Sequence, residues 1–279
     1  MRLGVGVPPE INWNGDFAQV ISGGLLGDGS MSLRGRAITP TYRETHGYRQ
    51  RDYILWKCRI LGGSSRDATY FDKRTGRFYI GSYMWVIDGR NRDLYALFYD
   101  LGRKAITYNA LSSINELGLT VLWLDDGSTK LHDGNGKLSL QSFLPNENRL
   151  IMRWLEKQWG IESVLTRENE IFFNSREMPK LLSCVYPIFK TYHLPACMSY
   201  KMGFMEPQNA RAIKEAKEAR RSRDRAQYRK VMMDPIRKAE LHERVKKARQ
   251  HRMQGLEYRR KYNEYHKEYM RMRRARHAQ

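Results

Sequence analysis

Hydrophobic positions along the chain recur first at helical spacing. Phe17, Val20, Ile21 and Leu25 share one face, Asp16 stands where a cap would, and the Gly27-Asp28-Gly29 breaker ends the run. Two strand-like stretches follow between Ser32 and Thr45, and Asp52 then opens a helical run with Ile54, Cys58 and Leu61 on one face. Thr69-Tyr70-Phe71 and Phe78-Tyr79-Ile80 read as strands on either side of a turn ending at Gly76. Leu94, Leu97, Phe98 and Leu101 mark another helix. The predicted order is α-β-β-α-β-β-α.

From Ser113 the same order begins again. Ser113 and Glu116 have capping-box spacing, and the apolar stretch from Leu117 to Leu124 ends at Asp125-Asp126-Gly127. A hairpin turning at Asp133-Gly134-Asn135-Gly136 leads to a helix with Ile151, Trp154, Leu155 and Trp159. Strands around Arg167-Glu168-Asn169 and a helix carrying Leu181, Leu182, Val185 and Phe189 complete the second pass. A repeat of about a hundred residues predicts a pseudo-two-fold body in which equivalent residues meet at the axis.

At that axis the two half-openers each deliver a carboxylate immediately before glycine: Asp28 after Ile21-Ser22-Gly23-Gly24-Leu25-Leu26-Gly27, and Asp126 after Leu119 to Asp125. Ser22, Gly23 and Gly27 are small enough to let two such helices approach closely, which would bring their C-terminal acids together. Two neighbouring carboxylates repel unless cations neutralise them, and an oxygen donor set with water suits magnesium rather than zinc. A bound divalent ion can activate water and stabilise the oxygens of a phosphodiester. A single Asp-Gly at a helix end is an ordinary stop signal; two in matching contexts point to a shared acidic centre.

Charge sharpens this picture. The 279 residues carry a formal net charge of +20, which attracts polyanions. Residues 207–279 hold 24 Lys and Arg against 9 Asp and Glu, leaving 26 against 21 for residues 1–206. Glu206-Pro207 is the natural boundary, since proline suits the first turn of a helix. No uninterrupted apolar run reads as a signal peptide or membrane span, so no membrane role is expected and an intracellular location is: cytoplasm, nucleoid or organelle matrix, not secreted. Cys58, Cys184 and Cys197 form no C-x-x-C pair and are expected to be three buried thiols.

The motif Trp123-Leu124-Asp125-Asp126-Gly127-Ser128, with its partner ending at Asp28, resembles the LAGLIDADG homing endonucleases, in particular the single-chain branch with two motifs. The resemblance spans roughly residues 16 to 203. It implies an α+β fold, an αββαββα half repeated, with two saddle-shaped antiparallel sheets astride double-stranded DNA. It also implies a monomer that cuts both strands across the minor groove, leaves 3′ overhangs and uses Mg2+ or Mn2+. By position in the motif, Asp28 and Asp126 match the metal-binding acids, and Asp125 matches Gly27, whose backbone carbonyl is the usual nearby ligand. Gly102-Arg103-Lys104-Ala105-Ile106 and Met198-Ser199-Tyr200-Lys201-Met202 resemble the segments carrying active-site lysines, making Lys104 and Lys201 catalytic candidates, and Gln141 is similar to a polar residue near the metal centre. Val121 and Trp123 depart from the pattern, where smaller residues are usual, so the two helices need not pack symmetrically. The string Phe78-Tyr79-Ile80-Gly81 lacks a GIY partner, and the seven histidines form no HNH array.

Arg34, Arg36, Arg43, Lys73, Arg77, Lys130, Lys137 and Arg167 lie on or near the predicted strands and are the DNA-binding candidates; arginine can pair bidentately with guanine, while other basic contacts hold phosphates. The expected organisation is an N-terminal arm over 1–15, a first half over 16–111, a second over 112–206 and a basic helical extension over 207–279. That extension is broken at Asp234-Pro235 and Gly255. Tyr258, Tyr262, Tyr265 and Tyr269 fall on one helical face, with Arg259, Arg260, Lys261, Lys267 and Arg271 around them as nucleic-acid contacts. The expected function is site-specific cleavage of duplex DNA by the product of a mobile intron or similar element. The alternatives are an RNA-binding maturase that assists splicing of a host intron and a non-catalytic DNA-binding protein; retention of both Asp28 and Asp126 favours the nuclease.

Overall fold

The computed structural model describes residues 11–235, apart from Arg34, Arg36 and 73–75, and eight further positions between Arg237 and Glu264. The chain forms two compact units, Met1–Lys214 and Glu215–Gln279.

In the first unit, α1 (Asp16–Leu26) leads into β1 (Ser30–Ser32), β2 (Thr41–Gly47), α2 (Arg51–Leu61), β3 (Ser64–Asp72), β4 (Arg77–Ile87) and α3 (Asn91–Phe98). A small hairpin of β5 (Tyr99–Asp100) and β6 (Arg103–Lys104) and a short α4 (Tyr108–Ser112) then bridge to the second half. There α5 (Glu116–Asp126) is followed by β7 (Gly127–Lys130), β8 (Asn135–Leu138), α6 (Pro145–Trp159), β9 (Val164–Leu165), β10 (Ile171–Phe173) and α7 (Glu177–Thr191). A 3-10 segment, Ala196–Met205, closes the second half, and α8 (Pro207–Met233) follows.

Each half builds a four-stranded antiparallel sheet with the same order, β1-β2-β4-β3 and β7-β8-β10-β9. The expected α+β architecture, αββαββα twice with saddle-like sheets, is therefore present. The halves differ in reach: β3 and β4 run for nine and eleven residues, whereas β9 and β10 have two and three.

Strand alternation decides which face meets the core. In β2, Tyr42, Glu44 and His46 are buried while Arg43 and Thr45 turn outward. The helices cover the inner face with Leu25, Ile54, Leu122 and Leu155, all fully buried. Between the halves, α1 and α5 lie against each other where glycine permits it: a Cβ on Gly23 would collide with the Gly118 carbonyl, and one on Gly27 would stand 2.6 Å from the Asp125 Cβ. Gln19 fastens the same contact, donating to the carbonyls of Trp13 (2.6 Å) and Ser113 (2.7 Å) and accepting from the Asn115 amide (2.8 Å).

Several local expectations change. Asp16 is the first helical residue rather than the cap; Gly15 occupies the cap, and the Asp16 carboxylate accepts from Tyr192. The cap of α5 is Asn115, not Ser113, because its side chain accepts from the amides of Leu117 and Gly118. Leu101 does not extend α3: it sits at the β5–β6 turn with φ 48° and full exposure. Trp123 leaves the interhelical seam to the smaller residues and enters the second half's core, its ring edge against Phe173 and its Nε1 donating to the Lys201 carbonyl at 2.9 Å. All three cysteines are free; Cys58 is buried, and Cys184 and Cys197 are only half-buried.

The helix α8 is charged along its length, and it stops at the Asp234-Pro235 step. The tail candidates Arg259, Arg260, Lys261, Lys267 and Arg271, and the tyrosines beside them, lie outside the described residues. No helix among the described residues is long and apolar enough to cross a membrane.

Candidate active site

The C-terminal ends of α1 and α5 reach the same place, and they deliver the two motif acids there. Asp28 leaves the end of α1 with its side chain 42% exposed. Asp126 is the last residue of α5 and half-buried. Burial raises the Asp126 carboxyl to about 7, and the charges of Asp28 and Asp125 push it in the same direction against the pull of Lys201 and Lys104. The two cations thus leave the acidic centre under-compensated.

Those lysines occupy corresponding posts. Lys104, at the end of β6, donates to the carbonyl oxygens of Gly29 (2.7 Å) and Gly27 (3.4 Å), on the first motif. Lys201, in the 3-10 segment, donates to the carbonyl oxygen of Asp125 (2.7 Å), on the second. Burial lowers both ammonium pKa values, and the surrounding carboxylates oppose that shift. Spacing alone links neither lysine to its motif; the flanking segments do.

The side chain of Asp125 reaches across into the first half. Its Oδ1 accepts from the Tyr53 hydroxyl (2.9 Å), and the Lys57 ammonium lies 2.9 and 3.0 Å from its two oxygens. Lys57 also bonds Glu44, and Glu44 in turn accepts from the Tyr42 hydroxyl and pairs with His46. Lys57 and Glu44 are completely buried. Lys57 holds Glu44 far below the usual carboxylate range in spite of burial, while the His46 imidazole is raised by its hydrogen bond to Glu44. One atom from each of Asp28, His46 and Asp125 lies within 4.8 Å of the others, a spacing that suits an ion. The Asp125 oxygens and both His46 ring nitrogens are already committed to protein partners, the second nitrogen to Gln50 at 3.1 Å.

The sequence pattern marks none of Tyr42, Glu44, His46, Tyr53 and Lys57 as a site residue. The available signal is polarity on an inward face: Lys57 falls between Ile54, Cys58 and Leu61 on the apolar side of α2, and Glu44 and His46 share the buried side of β2.

The remaining candidates scatter. Gln141 is exposed and donates to Glu170 (2.7 Å), which also pairs with Lys137 (2.6 Å). Arg43 is half-buried on the outer face of β2, opposite Trp85 of β4. Arg77 and Lys130 are exposed at strand ends, and Arg167 is exposed in the β9–β10 turn. Arg34, Arg36 and Lys73 lie outside the described residues. Arg66, which the strand pattern does not mark, joins Arg43, Thr45, Tyr83 and Trp85 around an outer-face groove of about 470 Å³.

Comparison with known proteins agrees with this architecture. The LAGLIDADG DNA endonuclease family matches residues 18–181, and the chain belongs to that family. Among solved structures, the homing endonuclease I-WcaI bound to its DNA recognition sequence is similar in fold, with a TM-score of 0.59 and 16% identity over 71% of this chain and 95% of that one. Among curated proteins, RecA of Mycolicibacterium fallax is 32% identical over 112 residues, and RecA of Mycolicibacterium flavescens 28% over 111. Each match covers 39% of this chain, which spans only a quarter (25%) of those relatives' length.

Proposed function

We propose that the protein is a homing-type endonuclease that hydrolyses both strands of a specific DNA duplex, leaving 3′ overhangs, with Mg2+ or Mn2+ held by Asp28 and Asp126. The observation that carries this reading is the meeting of two motif acids at the ends of packed helices, each motif flanked by its own half-buried or buried lysine.

The donors fit a hard divalent cation. Asp28 and Asp126 offer carboxylates, Gly27 and Asp125 backbone carbonyls, and a cation would offset both the burial that chiefly raises Asp126 and the repulsion from Asp28 and Asp125 that adds to it. Bound there, the ion supplies charge neutralisation and Lewis acidity toward a phosphodiester.

The protein's own groups do the rest. Lys104 and Lys201 each keep N–H donors beyond those given to the motif carbonyls, available to a phosphate oxygen or to a water held for attack. Their lowered pKa values ease the loss of a proton from Nζ. Arg43, Arg66 and Arg77 on the first sheet, with Lys130 and Arg167 on the second, supply phosphate and base contacts that set register. The basic extension adds salt-sensitive affinity.

The test is Mg2+-dependent cleavage of a randomised duplex library followed by sequencing of the new ends. Discrete cuts with 3′ overhangs support the proposal; tight binding with no cutting at any sequence contradicts it.

A further inference from the structure

The two halves share topology but not chemistry, and the difference is concentrated behind one of the two motifs. Corresponding positions follow from the registers. Ser30 pairs with Arg43, and Ser128, equally placed after its motif acid, pairs with Lys137. Tyr42 therefore corresponds to Gly136, and Glu44 to Leu138. Both α2 and α6 end at a left-handed glycine, Gly62 and Gly160, so Lys57 corresponds to Leu155 and Tyr53 to Ile151. Where the second half is apolar, the first half carries a buried polar socket of Tyr42, Glu44, Tyr53 and Lys57, with His46 at its edge.

A single side chain fills that socket, and it comes from the other half. Asp125 enters it with three hydrogen bonds, from Tyr53 once and Lys57 twice. Its counterpart Gly27 has no side chain to offer, and a Cβ there would stand 2.6 Å from the Asp125 Cβ, so the axis has room for one side chain only. Asp125 is bonded to the rest of the site through its backbone: its carbonyl receives Lys201, and its peptide leads directly to Asp126.

We propose that Lys57, acting with Glu44 and Tyr53, is a positioning residue of the acidic centre: it anchors the Asp125 side chain from across the pseudo-two-fold axis and thereby fixes where Asp126 and the Asp125 carbonyl stand. The two motifs are then held by different means: each has a lysine on its backbone carbonyls, Lys104 or Lys201, but only the second adds a buried ionic anchor. Hydrogen-bonded partners consume the donors and acceptors of the anchor, which accounts for a fully buried lysine tolerated beside a metal centre. This rests on the metal-centred reading above.

The test is Mn2+ uptake by the full chain, followed by electron paramagnetic resonance, in the wild type, Lys57→Met, Tyr53→Phe and Lys57→Met/Asp125→Asn. Lys57→Met removes a positive charge near the centre, so a purely electrostatic role would tighten Mn2+ binding. Positioning has the opposite sign: affinity falls at least about tenfold because Asp126 is displaced, which is about 1.4 kcal/mol. In the double variant the neutral amide needs no cation, and most of the affinity returns. Tyr53→Phe, which removes one hydrogen bond and no charge, shows a smaller loss in the same direction and carries the test if Lys57→Met fails to melt cooperatively. Unchanged or tighter binding in both single variants overturns the proposal, as does a double variant weaker than Lys57→Met, which would make the Asp125 carboxylate a ligand. A wild type that takes up no Mn2+ overturns the metal-centred reading and this one with it.

Discussion

The Lys57 ammonium lies 2.9 and 3.0 Å from the two carboxylate oxygens of Asp125, so a residue of the first half's α2 grips the second half's motif helix. Neither side chain is exposed to solvent. Removing one partner of such a pair leaves a charge buried without compensation, at a cost of about 3–5 kcal/mol. Lys57→Met is expected to lower unfolding stability by that amount in urea titrations monitored by fluorescence. Replacing Asp125 with Asn in the same chain should recover part of the loss.

Asp126 links stability to pH and metal. Its folded pKa of about 7 stands above the ordinary aspartate value of about 3.9, so the stability it contributes is complete below that unfolded value and is lost as pH rises through 7. Without metal, the melting temperature of the wild type should fall between about pH 5 and 8 more than that of Asp126→Asn. Added Mg2+, which requires the ionised form, should raise the melting temperature more at about pH 8 than at about pH 5 in the wild type alone. Differential scanning calorimetry at the two pH values reads both effects.

Gly23 fixes the approach of the two motif helices. A methyl group there would meet the Gly118 backbone, which has no flexible end to yield, so Gly23→Ala is expected to cost about 1–3 kcal/mol and to weaken Mg2+ binding as the helices part. Gly47→Ala, where a Cβ meets nothing within 4 Å, is the control and should bind Mg2+ as the wild type does.

The basic extension should act through charge. Changing Arg259, Arg260, Lys261, Lys267 and Arg271 to Gln is expected to weaken duplex binding at low salt and to flatten the dependence of log affinity on log salt by about 0.9 for each phosphate no longer neutralised. Fluorescence anisotropy across a salt series measures the slope.

Much of the fold was legible because it rests on periodicity. The 3.6-residue stripes of α1, α2, α6 and α7 specify their elements locally, and the repeat of Asp-Gly after two apolar helices located the acids. Capping was read less well: Ser113 and Asn115 are both competent caps, and the choice depends on Gln19, 96 residues before Asn115, holding the Asn115 amide. The buried socket was not legible at all, since Lys57 lies 13 residues from Glu44 and 68 from Asp125, and each alone resembles an ordinary charged residue. Only the tertiary fold brings a lysine on an apolar helix face opposite an aspartate from the other half.

The most direct measurement is single-turnover cleavage, with Mg2+, of the duplex recovered from the library, by the wild type and by Asp28→Asn and Asp126→Asn. If the two acids form the metal centre, each substitution slows strand cleavage by about 1000-fold while duplex binding in Ca2+ persists. Cleavage by either variant within a few-fold of the wild type would contradict the assignment of Asp28 and Asp126 as the catalytic pair.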